Sequence, residues 1–272
     1  MPQVQLSWGS ATHIGQREEN QDRFLAAPPV FAVADGMGGH AAGAEAAQQA
    51  VDCLSAEVGE QHLSLDALQQ AVHSADEAIR AFGDSDPGKV GAGTTVAGVA
   101  LVEDVGALRW AVFHVGDSRV YGWAANRWRQ LTVDHSLVQV LIDSGHLSRE
   151  SAAHHPQRNI VTRALGVGSG GDADVTLLAV EPGQRFLACS DGLSNEVSDA
   201  RLAEVVGEGG DPEVAAQQLV DEAVRNGGRD NIAAVVVHVR EVVGFVAGGP
   251  VEGPATAPVP AITGTADTAP LA

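Results

Sequence analysis

The chain has 272 residues, of which 44% are hydrophobic and 19% charged, so it can build one large core or two small ones and is not a disordered charged chain. Its formal net charge of −19 repels nucleic acid and anionic membrane, and it suits a protein that holds cations as well as one that is simply soluble. Cys53 and Cys189 lie in apolar surroundings and read as buried small hydrophobes, which excludes a disulfide framework and points to a reducing compartment.

The opening MPQVQLSWGS has neither the basic nor the apolar region of a signal peptide. No stretch approaches the roughly 18 uninterrupted apolar residues of a membrane span. The expectation is a soluble cytoplasmic protein. Residues 30–34 form an apolar run that stops at Asp35-Gly36. A helix is expected over 44–58, with Ala47, Val51, Leu54 and Val58 on one face. The clearest helix covers 65–82. There Leu65, Leu68, Val72, Ala75, Ile79 and Phe82 make one apolar stripe behind an N-cap at Ser64. Residues 96–102, 108–115 and 119–123 form a cluster of strand-like runs, followed by a short helix over 137–144. Then come a strand over 186–189 and a short helix over 199–206. Asp211-Pro212 opens a helix that runs to Arg225 and stops at Asn226-Gly227-Gly228. The strand over 232–239, with consecutive valines, is the clearest of all. The order lacks the regular alternation of a parallel α/β protein, so the fold class is α+β, with antiparallel sheets covered by helices. From 242 the composition turns to Gly, Pro, Ala and Thr without periodicity. Residues 1–241 are therefore the expected folded domain and 242–272 a flexible tail.

One pattern recurs. Apolar runs end in an aspartate beside glycine at Asp35-Gly36, Gly116-Asp117 and Asp191-Gly192, and Asp230 stands at the start of the last strand. Each such pair alone equally marks a turn. Together, strand-end and strand-start aspartates can share one sheet rim, because antiparallel neighbours start where the others finish. Carboxylates so placed raise one another's pKa, and a divalent cation relieves the conflict. An all-oxygen set suits Mg²⁺ or Mn²⁺.

These blocks resemble the type 2C family of metal-dependent protein phosphatases, in its compact bacterial form. The resemblance spans roughly residues 6 to 240 and rests on motifs in the family's order. They are Arg17-Glu-Glu-Asn20-Gln21-Asp22, Val33-Ala-Asp35-Gly36-Met37-Gly38-Gly39-His40, Gly93-Thr94-Thr95 and Val115-Gly116-Asp117-Ser118-Arg119. Asp134-His135-Ser136, Thr162-Arg163-Ala164-Leu165-Gly166, Ser190-Asp191-Gly192-Leu193 and Asp230-Asn231 follow. The resemblance implies two antiparallel sheets packed face to face with paired helices outside each. It implies a protein serine/threonine phosphatase in which water held between two cations attacks phosphorus in line, without a phosphoenzyme. Asp35 would bridge two Mn²⁺ or Mg²⁺ ions, with the Gly36 carbonyl on one. Asp191 and Asp230 would complete the other, and Asp117 would hold a third, weaker ion together with Asp191. Asp22 would bind metal waters, and Arg17 would grip the substrate phosphate. Implied partners are phosphoserine and phosphothreonine proteins, including a Ser/Thr kinase, acted on by a monomer.

The chain departs from the family pattern at Gln21, where Glu is usual, which removes a negative charge. Met37 follows Asp-Gly where many eukaryotic members have His. His40 remains a candidate general acid or a structural residue at a helix start. Arg17 taken alone equally reads as a surface ion pair with Glu18 or Glu19. The polar stretch 144–159, with His146, His154 and His155, is either a flap beside the site or a plain surface connection, and it lacks zinc spacing. Three other functions compete. A catalytically silent phosphoprotein scaffold would lack the core aspartates, which are present. A two-metal hydrolase of small phosphoesters would add histidines to the core blocks. An interaction module built on the tail would need more sequence information than the tail carries.

Overall fold

A run such as Ile232-Ala-Ala-Val-Val-Val has no polar side to turn toward solvent, so it must lie between two apolar layers. The computed structural model, which describes residues 3–38, 42–124, 127–152, 155–168 and 171–243, places it so. In chain order the elements are β1 (Gln3–His13), β2 (Asp22–Ala27), β3 (Val30–Met37), α1 (Ala42–Ser55), β4 (Leu63–Ser64) and α2 (Leu65–Asp84). β5 (Gly93–Thr94), β6 (Val96–Asp104), β7 (Ala107–Val115), β8 (Arg119–Ala124), β9 (Arg127–Gln130), α3 (Leu137–Asp143) and α4 (Arg149–Ala152) follow. The chain continues through β10 (Asp174–Ala179), β11 (Arg185–Cys189), α5 (Asp191–Ser194), α6 (Asp199–Gly207), α7 (Pro212–Asn226) and β12 (Ile232–Val243).

Two antiparallel sheets result. One has the order β1-β12-β11-β8-β9. The other runs β10-β7-β6-β3-β2, with β5 beside β3 and the short β4 joining β6 in parallel. The period of two along each strand divides the core into three apolar layers. Val235 and Val237 meet Phe31, Val33, Val99, Trp110 and Phe186 between the sheets. Ile232, Ala234 and Val236 point the other way, onto Leu202, Leu219 and Val220 of α6 and α7. Leu54, Leu68, Val72 and Ile79 of α1 and α2 cover the outer face of the second sheet. This is the α-β-β-α arrangement expected. Ser64 caps α2 by accepting the Ala67 N–H at 3.0 Å, and Asp211 caps α7 through Glu213 N at 2.9 Å.

Some expectations are corrected. The first helix ends at Ser55 rather than 58, because Val58 N turns back to Ser55 O and its side chain is left exposed. β1, β2 and β10 carried no strand expectation. β12 runs on to Val243, paired with Gln3, so it includes the first two residues assigned to the tail. Residues 244–272, the rest of that segment, lie outside the described residues. Among the described residues no helix is long and apolar enough to cross a membrane.

Candidate functional site

The topology brings the aspartates to one end of both sheets. Asp22 opens β2 directly opposite Asp35 of β3. Asp117 stands just beyond β7. In the other sheet Asp191 follows β11 and opens α5, while Asp230 just precedes β12. Ser190 ties the two rims together. Its Oγ donates to Asp22 Oδ2 at 2.7 Å and accepts the Ala233 N–H at 2.9 Å. Asp35 was expected at a strand end, but β3 continues through it to Met37, because Gly36 and Met37 pair with Thr94 and Gly93 of β5. Close approach of the Asp191 and Asp230 arms depends on Gly192, where a Cβ would lie 1.9 Å from Asn231 O.

Short side chains hold the backbone that carries the carboxylates, and Asn195 reaches a carboxylate itself. The Asp35 N–H donates to Thr95 Oγ1 at 3.0 Å, and Thr94 Oγ1 donates to Asp35 O at 3.0 Å. Thr95 Oγ1 also meets Ser118 Oγ at 2.7 Å, which links the Asp35 and Asp117 loops. Asn195 Nδ2 donates to Asp191 Oδ2 at 3.1 Å. Asn231 Nδ2 donates to the carbonyls of Ile14 and Glu19, and its Oδ1 accepts from Gln21 N, so it fastens the segment that carries Arg17. Ser190, Thr94, Thr95, Asn195 and Asn231 had no assigned role from the sequence. All but Asn195 lie inside the recognised motifs, which was the available signal.

Electrostatically the rim is in conflict. Burial pushes Asp22 and Asp117 up to about 7 and Asp191 up to about 6, with neighbouring carboxylates adding to the effect. Asp35 is raised well above the usual carboxylate range by burial, then by Asp22, Asp191, Asp117 and Asp230. Asp22 Oδ1 is buried without a hydrogen-bond partner among the described residues. An all-oxygen set, mutually raised carboxylates and an orphaned carboxylate oxygen fit a hard divalent cation of the Mg²⁺ or Mn²⁺ kind.

Arg17 lies at the edge of this cluster. Its Nη2 donates to Asp230 Oδ2 at 2.6 Å, and Asp191 and Asp35 attract it as well. Its partner is thus a site aspartate, not Glu18 or Glu19. Gln21 precedes Asp22 at the start of β2, close to Gly43 of α1. A cleft of about 630 Å³ opens beside Asp117, Asp191 and Asp230 and is walled by α3 together with Arg149 and Arg158 of the 144–159 stretch. That stretch therefore borders the site, and it contains α4. His146 is exposed and bonds Ser144 Oγ at 2.8 Å. His40 and His154 lie outside the described residues.

A second polar cluster adjoins the first. His114, His135 and Asp174 present ligand atoms within 4.8 Å of one another. Here a cation is already supplied by the protein, since Arg163 Nη1 donates to Asp174 Oδ1 at 2.7 Å. Nearby Arg119 donates to Asp134 through Nε and Nη2, the latter at 2.6 Å.

Known proteins share this fold and much of its sequence. The serine/threonine protein phosphatase PstP of Mycobacterium tuberculosis is 38% identical over 82% of this chain, which spans only 43% of that protein's length. A putative protein phosphatase 2C-type of Streptococcus pyogenes is 35% identical over 84% of this chain and 95% of its own. The solved catalytic domain of PstP in complex with two manganese ions superimposes with a TM-score of 0.77 at 33% identity, covering 87% of this chain and 99% of that one. The profile of the family described as protein phosphatase 2C matches residues 10–222. With its aspartate rim, sandwich fold and relatives in agreement, the chain belongs to the protein phosphatase 2C family.

Proposed function

We infer that this chain is a metal-dependent protein serine/threonine phosphatase. The observation that carries the reading is the convergence of Asp22, Asp35, Asp117, Asp191 and Asp230 from both sheets on one rim beside Arg17. In this reading Asp35, the Gly36 carbonyl, Asp191 and Asp230 hold two Mn²⁺ or Mg²⁺ ions, and Asp117 with Asp191 holds a third. Asp22 and Gln21 act behind the ligands. The ions would supply charge neutralisation at the phosphoryl group and a water of lowered pKa.

The chain's own groups divide the remaining tasks. The Arg17 guanidinium would present two parallel donors to phosphoryl oxygens, and its exposure beside Asp230 leaves it room to turn from that carboxylate to substrate. The buried Ser190 hydroxyl holds the Asp22 carboxylate and the Thr95 hydroxyl holds the Asp35 backbone while substrate exchanges. A cysteine nucleophile is not needed. Burial inside β11 pushes the Cys189 thiol up to about 12, so it is protonated at neutral pH. Substrates in this reading are phosphoserine and phosphothreonine proteins, among them a Ser/Thr kinase, acted on in the cytoplasm by a monomer. The catalytic domain would run through the end of β12 at Val243.

The test is phosphate release from a phosphothreonine peptide by the purified chain with Mn²⁺, with chelator, and with Asp191→Asn. Activity should require the ion, and the substitution should lower it by on the order of 100-fold or more, at or beyond the range found for groups behind a ligand. A folded, Mn²⁺-supplied sample without activity would sink the reading.

A further inference from the structure

Asp117 follows a glycine. Gly116 has φ +107°, a conformation open mainly to glycine, and a glycine permits many others. Something must therefore hold the peptide that precedes Asp117. His135 grips it from both sides. The His135 backbone N–H donates to Gly116 O at 3.0 Å, and the Gly116 N–H donates to His135 Nδ1 at 3.0 Å.

The ring is itself fixed. Because Nδ1 accepts a backbone N–H, the proton of the neutral imidazole sits on Nε2. Nε2–H then donates to Asp174 Oδ2 at 3.3 Å, and the 2.9 Å approach of Arg163 Nη1 to Nε2 is a contact of two donors rather than a hydrogen bond, with Nη1 donating to the other oxygen of Asp174. His114 stacks on the ring with centroids 4.5 Å apart and is anchored by its own bond to Val133 O. A cation held by His114, His135 and Asp174 would need the Nε2 lone pair. That would put the proton on Nδ1, directly against the Gly116 N–H. The cluster is thus built to orient a ring, with Arg163 as its cation.

We propose that His135 is a positioning residue that sets Asp117 for a cation by clasping the Gly116 peptide. The proposal rests on the reading of Asp117 as a metal ligand. His135 touches neither substrate nor ion. Its effect should fall on the weakest of the bound ions, the one assigned to Asp117, and spare those held by Asp35, Asp191 and Asp230.

The experiment compares the full chain with His135→Ala, His135→Asn, Asp117→Ala and the His135→Ala/Asp117→Ala double variant, by calorimetric titration with Mn²⁺. His135→Ala should weaken the weakest site about 10- to 100-fold, as loss of a group behind a ligand does, and leave the tighter sites unchanged. His135→Asn, whose Oδ1 can take the Gly116 N–H, should recover most of the affinity. In the double variant the His135 effect should vanish, because the two residues act as one unit. Equal weakening of every site, no recovery with Asn, or additive effects would overturn the proposal. So would Asp117→Ala with unaltered Mn²⁺ binding, and metal-dependent phosphate release by the unsubstituted chain would then show that the phosphatase reading stands without it. Imidazole ¹⁵N shifts of the unsubstituted chain give a readout that needs no variant to fold. They should place the proton on Nε2 of His135, and a proton on Nδ1 would refute the clasp.

Discussion

The aspartate rim and the cluster around Asp134, His135 and Asp174 grow from neighbouring loops, yet they treat charge in opposite ways. In the second cluster each carboxylate has a guanidinium. Asp134 takes Arg119, with Gln130 Nε2 adding a bond at 2.7 Å, and Asp174 takes Arg163. On the rim, among the described residues, Asp230 has an ion-pair partner in Arg17, whose side chain is 57% exposed, and Asp22, Asp35, Asp117 and Asp191 have none. Asp174 is held below the usual carboxylate range, chiefly by its bonds to Arg163 and His135 against burial. Asp22, Asp35, Asp117 and Asp191 are pushed above it. Matched charge marks a scaffold, and unmatched buried charge marks a place where a further cation belongs.

Isosteric removal of one charge from each cluster is the strongest way to break this contrast. Asp134→Asn leaves Arg119, only 28% exposed, without its anion, and should cost about 3 kcal/mol of stability in chelator, as loss of one partner of a buried pair does. Asp191→Asn in chelator should be neutral or stabilising, since it removes a repelling charge. Thermal melts of the two metal-free variants check this. If both lose stability equally, the rim is an ordinary packed polar network and the contrast fails.

The same contrast explains what could be read from the sequence. The α2 stripe, the caps at Ser64 and Asp211, and the doubly buried β12 follow from local periodicity and were legible. The rim was legible too, because Asp beside Gly at strand ends is a local pattern. What stayed hidden depends on partners far apart in the chain. Arg17 lies 213 positions from Asp230, and Arg119 could not be matched to Asp134 until β8 and β9 folded back on each other. β5 is two residues long and has no periodicity, so the continuation of β3 through Asp35 could not be foreseen. β1 is an edge strand with half-buried side chains, and its mixture of Gln, Ser, Thr and Gly gives a weak alternation.

A smaller effect sharpens the role of Arg17. Arg17→Lys keeps the charge and loses the fork, so it should raise KM for a phosphothreonine peptide about tenfold with a smaller change in kcat. Mn²⁺ affinity should be nearly unaffected. Steady-state kinetics at saturating Mn²⁺ measure the split. A loss of metal affinity with unchanged KM would make Arg17 a rim brace and not a phosphate ligand.

The smallest effect is the pH dependence of metal stabilisation. In the metal-free fold Asp22 and Asp117 titrate near 7 and Asp191 near 6, each raised from 3.8. Between those limits the folded chain binds more protons than the unfolded one, so these groups contribute stability that is lost as pH rises from about 4 to about 7. His238 acts in the opposite sense. Burial pushes it down to about 4, so its contribution is present at neutral pH and is lost as pH falls from 6.5 toward 4. The two trends overlap in a melt of the metal-free chain, but the histidine term is common to samples with and without Mn²⁺. The difference between their midpoints isolates the rim. It should be near zero at pH 5, where protons outcompete the ion, and grow to several degrees by pH 7.5, each displaced proton adding about 1.4 kcal/mol per pH unit. Asp191→Asn should flatten this growth. A midpoint difference that is constant across the range would mean that the ion does not bind where the carboxylates conflict.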